Sequence, residues 1–263
     1  MRRLSPDNPA GHCPAFGLYV FLHALRCTAI QKQGSIMKNF IAALVVAGIV
    51  CCAWPAPASG PAPLTPQEVS RLDAAKNVNQ LILVGATGGS DALFTFYEKR
   101  GELWQEVFTS RAYIGKNGLG KEKEGDAKSP VGLFHFTKAF GIAPDPGCAL
   151  GYTQVDDTHY WVGDGKSPLY NQFVSTRDNA AFDKSESEHI VEYNKAYQYC
   201  LNISYNQEGR PGLGSAIFLH CYSDNPYTGG CVAIPEDDMR RLLRALRPGC
   251  RIVIAGLKDL AGF

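Results

Sequence analysis

Apolar residues fall into short runs along most of the chain and into one helical stripe near its end. The runs 81–87, 93–97 and 104–113 are rich in β-branched and aromatic residues, and Gly-Gly and Arg-Gly-Glu turns separate them. Such runs read as strands, and three in succession predict an antiparallel meander. Further short strands are predicted at 131–136, 152–155, 196–205 and 216–220, with a closing strand at 251–255. Two helices interrupt the pattern. Thr65, Pro66 and Glu68 supply an N-cap, an N1 proline and a capping-box acid, which predicts a short helix to about Val78. Met239, Leu242, Leu243 and Leu246 stand at i, i+3, i+4 and i+7, a single apolar stripe on a helix over 236–247. Pro235 opens that helix and Pro248-Gly249 ends it. The fold class is mainly β with two or three helices, one domain over 80–263 without internal repeats.

Two stretches carry no period. Residues 115–129 are rich in glycine and charge and are expected to form a surface loop. Residues 161–194 are polar and aromatic and are expected to be a loop insertion, one that lids the functional site because the chemistry-bearing motifs flank it.

The first 60 residues follow a different logic. From Met37 the order is a basic residue (Lys38), an apolar run over 40–50, then small residues and prolines, which is the order of a secretory signal peptide. Ala56-Pro57-Ala58 fits the cleavage rule. Residues 37–58 therefore read as a signal peptide, 59–79 as a linker with a short helix, and 1–36 as a mis-assigned extension ahead of the true start. The apolar run falls short of the roughly 20 residues that span a bilayer, and a retained N-terminal anchor is the alternative. The expected location is the periplasm or the cell-wall space.

Composition narrows the function classes. The 263 residues are 45% hydrophobic and 19% charged, enough for a sizeable core. A net charge of +1 gives no general pull toward nucleic acid or anionic lipid, so no nucleic-acid partner is expected. Beyond residue 58 the cysteines are Cys148, Cys200, Cys221, Cys231 and Cys250. An odd number in an exported protein leaves at least one thiol unpaired.

The candidate chemistry lies in the last quarter of the chain. An apolar strand, Ser215-Ala-Ile-Phe-Leu-His220, ends on a histidine, and a loop then leads to Thr228-Gly229-Gly230-Cys231. The glycines let backbone approach a substrate carbonyl and adopt positive φ. A free thiol ionises near pH 8.5, so an attacking cysteine wants a base, and His220 is the candidate. The N–H groups around Cys231 are placed to receive an oxyanion. Two bland readings stand beside this one, since a cysteine at a strand end is usually an inert small hydrophobe and a nearby histidine a satisfied structural group. His135, His159 and His189 share no local unit with Cys231.

A zinc site at His220, Cys221, Cys231 and Cys250 lacks the usual paired ligand spacing, and no metal is expected. Gly115 to Lys121 nearly matches a phosphate-binding loop, but Glu122 replaces the Ser/Thr and no helix follows, so it reads as a charged hairpin or surface loop and no nucleotide partner is expected.

His220 followed by Thr228-Gly229-Gly230-Cys231 resembles the signature of the L,D-transpeptidase catalytic domain, the YkuD-like family. Gly125-Asp126-Ala127-Lys128-Ser129-Pro130-Val131-Gly132-Leu133-Phe134 resembles a second block of the same family, in the right order. The resemblance spans about 108–254. It implies a mixed β-sandwich in which Cys231 attacks the L-centre carbonyl of the third residue of a peptidoglycan stem peptide. D-Alanine leaves, and an amine on peptidoglycan or a wall protein takes the acyl group. His220 would serve as proton acceptor and donor, the Gly230 and Cys231 amides as the oxyanion hole, and Gly229 and Thr228 as support. No cofactor is implied. The family pattern commonly has His where Gly229 stands and Arg where Ala233 stands, and its His-to-Cys gap is longer. These departures keep water as an alternative acceptor, giving a carboxypeptidase or amidase, and a non-catalytic wall-binding module is the third reading. Cys221 is expected to pair with Cys250 or Cys200 if it forms a disulfide.

Overall fold

The computed structural model describes residues 62–178 and 181–263. The extension, the signal peptide and the start of the linker lie outside the described residues. The described elements are α1 (Pro66–Val69), β1 (Gln80–Gly88), β2 (Asp91–Arg100), β3 (Leu103–Tyr113), β4 (Gly132–Gly141), β5 (Tyr152–Gln154), β6 (His159–Trp161), β7 (Phe173–Ser175), β8 (Glu188–His189), β9 (Cys200–Ile203), β10 (Phe218–Cys221), β11 (Val232–Ile234), α2 (Glu236–Ala245) and β12 (Arg251–Gly256). The fold is mainly β with two α-helices, as the sequence pattern predicts.

The meander β1-β2-β3 is antiparallel throughout, and β12 adds to β1 in parallel. The large sheet runs β12-β1-β2-β3-β11-β10-β9-β4-β5 and closes on itself where β12 also pairs with β4. The long β4 makes this possible, since its first half pairs with β12 and its second half with β5. Inside the closure Ile82, Val84, Phe94, Phe96, Leu201, Leu219 and Ile252 form the main core. The stripe Met239, Leu242, Leu243 and Leu246 of α2 packs into that core.

Strand β1 is buried on both faces, so it reads as a continuous apolar run rather than an alternation. Leu81 and Leu83 face away from the main core and are covered by Val69 and Leu72 of the N-terminal segment and by Leu260. The capping box at Thr65 and Glu68 forms as expected. The helix it opens is far shorter than the predicted run to Val78: it stops at Val69, and a 3-10 turn, Asp73–Ala75, replaces the rest. Extended backbone at Leu72 breaks the helical path and turns its side chain onto the sheet.

The stretch 161–194 also departs from expectation. It is no plain loop, for β6, β7 and β8 form a separate three-stranded sheet with 3-10 turns between them. Strands of two or three residues are too short to leave a period in the sequence. Their aromatic residues Trp161 and Phe173 pack with Phe140 of β4 and Phe218 of β10, on the outer face of the large sheet. Burying a side chain such as Phe218 contributes about 1.5–3 kcal/mol. The insertion is therefore a second layer against the strands that carry the candidate site.

Candidate active site

Strand alternation decides which way each group points. In β10, Leu219 and Cys221 face the main core, while Phe218 and His220 face the insertion. In β11, Val232 and Ile234 face the core, and Ala233 with the preceding Cys231 lies on the other face. β10 and β11 are parallel neighbours with His220 opposite Ala233. The loop 222–231 therefore returns the chain to the start of β10, and Cys231 sits diagonally across from His220 on the same face. Adjacent strands are roughly 4.8 Å apart and rise about 3.3 Å per residue, so the two Cα atoms stand about 8 Å apart, a gap that two side chains on one face span.

His220 and Cys231 line one pocket of about 440 Å³, together with Lys121, Glu188, Tyr193 and Tyr197. Glu188 and Tyr193 of the insertion wall this pocket. The loop 115–129 does so too. Lys121, placed by sequence on a surface loop, has a side chain only 2% exposed and pairs with Asp126 at 2.9 Å. Burial alone would raise the Asp126 carboxyl, but hydrogen bonds from the Glu122, Lys123 and Lys128 N–H groups and the Lys121 ammonium hold it well below the usual carboxylate range.

The turn that carries Cys231 is heavily braced. Thr228 Oγ1 donates to the Cys231 carbonyl at 2.7 Å and accepts the Gly230 N–H at 3.1 Å. Ser129 Oγ donates to the Gly230 carbonyl at 2.6 Å and accepts the Gly115 N–H at 2.9 Å. Gly230 has φ +146°, and a Cβ there would stand 2.8 Å from the Lys128 carbonyl oxygen, so only glycine fits. Gly229 borders open space. The Gly230 N–H is thus engaged by Thr228, whereas the Cys231 N–H donates to no other group among the described residues.

The thiol of Cys231 donates to the Ala216 carbonyl at 3.1 Å and accepts the Phe218 N–H at 3.2 Å. Ala216 is held at φ +54°, a conformation costly for a non-glycine residue. Asn171 offsets that cost: its Oδ1 accepts the Ala216 N–H at 3.0 Å and the Trp161 indole N–H at 2.8 Å. The insertion thereby positions the carbonyl that receives the thiol.

His220 Nδ1 lies 2.7 Å from the Cys221 carbonyl. A carbonyl oxygen only accepts, so Nδ1 carries the proton and Nε2 keeps its lone pair. In the sheet His220 is flanked by Cys200 of β9 and Ala233 of β11, and the Tyr197 ring meets it edge-on at 5.4 Å. Burial pulls His220 down to about 4, with the Cys221 carbonyl working against it. Burial pushes the Cys231 thiol up to about 12, the Glu188 carboxylate adding to the shift and the Phe218 N–H and Lys121 opposing it. At neutral pH the pair is thiol and neutral imidazole.

The remaining cysteines correct the disulfide expectation. All five described cysteines are free and buried. Cys221 faces the core while Cys200 faces the insertion, which rules out that pairing by alternation. His159 and His189 serve inside the insertion, the first beside Asp156 and the second stacked on Tyr160 and bonded to Glu192. His135 lies on β4, opposite Arg251 of β12. Among the described residues no three His, Cys, Asp or Glu side chains are grouped as metal ligands, and no helix is long and apolar enough to cross a membrane.

Lys121, Asp126, Asn171, Glu188 and Tyr197 escaped the sequence reading as site residues. Asp126 stands in the quoted Gly-Asp block and could have been found there. The others carry no local signal, because each meets the 216–231 segment across more than 20 residues of chain.

The model of the YkuD family, the L,D-transpeptidase catalytic domain, matches residues 89–254. The chain belongs to that family. Among solved structures, Bd1075 of Bdellovibrio bacteriovorus is 18% identical, with a TM-score of 0.36 over 67% of this chain and 48% of that one. L,D-transpeptidase 1 of Mycobacterium tuberculosis is 16% identical, with a TM-score of 0.32 over 67% and 62%. The helical cell shape determining protein Pgp2 of Campylobacter jejuni is 14% identical, with a TM-score of 0.37 over 70% and 52%. The chain spans about half to three-fifths of the length of these proteins. No curated protein matches it.

Proposed function

We propose that this protein is an exported cell-wall enzyme that forms an acyl-enzyme at Cys231 from a peptidoglycan stem peptide and passes the acyl group to an amine. The observation that carries the reading is the His220 tautomer: Nδ1 is committed to the Cys221 carbonyl, so Nε2 is the free base in the pocket that Cys231 shares. Substrate entry draws the thiol from the Ala216 carbonyl to Nε2. Sulfur then attacks the carbonyl as its proton passes to His220, and the oxyanion is received by the Cys231 N–H. The imidazolium returns the proton to the departing amine of D-alanine. An incoming amine repeats the sequence in reverse. Export rests on the 37–58 pattern and the peptidoglycan substrate on family membership.

A disaccharide-tetrapeptide incubated with enzyme and a primary amine is expected to release D-alanine and give the tripeptide amide. D-Alanine release with only the free tripeptide acid would make the enzyme a carboxypeptidase. No release of D-alanine at all would favour the binding-module reading.

A further inference from the structure

Glu188 stands in the pocket with Cys231 and His220, although a carboxylate is the wrong group to activate a thiol. Its charge opposes the thiolate. Its place is nonetheless built with care. Strand β8 holds it opposite Trp161 of β6, and Tyr197 donates its hydroxyl to Glu188 Oε2 at 2.8 Å. The same tyrosine ring packs against His220 and Phe218, so carboxylate and base are set by one rigid side chain. Among the described residues the one cation lining the pocket that could neutralise Glu188, Lys121, is committed to Asp126. The other acidic group lining the pocket, Glu124, already accepts the hydroxyls of Tyr170 and Ser215. Among the described residues Glu188 makes no ion pair, and the Tyr197 hydroxyl on Oε2 is the one hydrogen bond its carboxylate accepts.

Building on the acyl-enzyme reading, we infer that Glu188 selects the acceptor: it binds the ammonium of a primary amine beside the thioester and takes the first proton from it. A charged acceptor, R–NH3+, donates one proton to the Glu188 carboxylate. The neutral amine attacks the thioester carbonyl, forming the C–N bond as its second proton passes to His220 Nε2. The C–S bond then breaks, and His220 returns that proton to sulfur. The products are the amide and the thiol, and Glu188 releases its proton to solvent. Burial raises the Glu188 carboxyl to about 7, with the Tyr197 hydroxyl opposing that shift and Glu124 adding to it, which suits a group that must take and release a proton near neutrality.

The test is partitioning of the preformed acyl-enzyme between water, ethylamine and hydroxylamine at pH 7, for wild type and E188Q. Ethylamine is an ammonium at that pH and hydroxylamine is largely neutral. E188Q is expected to lose roughly tenfold or more in ethylamine transfer relative to hydroxylamine transfer, both read from the preformed acyl-enzyme. Y197F, which keeps the carboxylate and loses its orienting hydrogen bond, is expected to fall between them. Equal losses with both amines, unchanged ethylamine transfer, or a loss confined to hydrolysis would overturn the role. Failure of the wild type itself to form an adduct would instead remove the acyl-enzyme reading on which the role rests.

Discussion

Replacing His220 with asparagine is expected to lower acyl-enzyme formation by roughly 10²–10⁴-fold while the protein stays folded. The asparagine amide can still donate to the Cys221 carbonyl, so the loss reports the missing base and not a broken strand. The effect is large because the thiol is so weak an acid in this site. With Cys231 near 12, spontaneous thiolate is scarce at pH 7, and His220 near 4 is almost wholly neutral and ready to accept. Single-turnover acylation of wild type should therefore fall toward acid only as pH approaches 4, while the residual rate of H220N should climb with each pH unit as thiolate forms unaided. Equal rates for the two proteins at pH 7 would exclude His220 as the base. The same shifts mean that iodoacetamide should label resting Cys231 slowly, so poor alkylation does not separate a catalytic site from an inert one.

Asp126→Asn is expected to have the largest effect on stability, about 3 kcal/mol, or roughly 10 °C in midpoint. It strands the buried Lys121 ammonium without a charged partner, and an amide nitrogen in place of Oδ2 takes the acceptor from the Glu122 and Lys123 N–H groups. The sign of the pH dependence follows from the direction of the shift. A carboxyl held below its unfolded value stabilises the fold above about pH 4, and that contribution is lost as pH falls toward the folded value. Wild type should thus lose stability on acidification below pH 4 more steeply than D126N, and thermal melts at pH 3 and pH 7 would check both points. A midpoint change under 2 °C would show that the pair contributes little.

The parts legible in the sequence share a physical cause: they are local. The β1-β2-β3 meander shows because each strand is nine or more residues long and bounded by turn residues. The α2 stripe shows because ten residues fill nearly three turns against the core. His220 and Cys231 are visible because one loop joins them, with Gly230 needed at a positive φ. The rest of the site is assembled at distance. Glu188 and Asn171 sit in an insertion whose strands are shorter than any period, and Tyr197 sits in a 3-10 turn just after it. Lys121 and Asp126 looked like surface charges because composition cannot show that two opposite charges bury each other. The N-terminal helix fails in a further way, since a capping box specifies where a helix starts and leaves its end to tertiary packing.

The central claim is that Cys231 is an acylated nucleophile. Intact-protein mass spectrometry of the wild type and of C231A, each incubated with a disaccharide-tetrapeptide, tests it most directly. The account predicts a covalent adduct of the donor less D-alanine on the wild type alone, with D-alanine released in step. The same adduct on C231A, or none on a folded wild type with its thiol at 231 free, would contradict it.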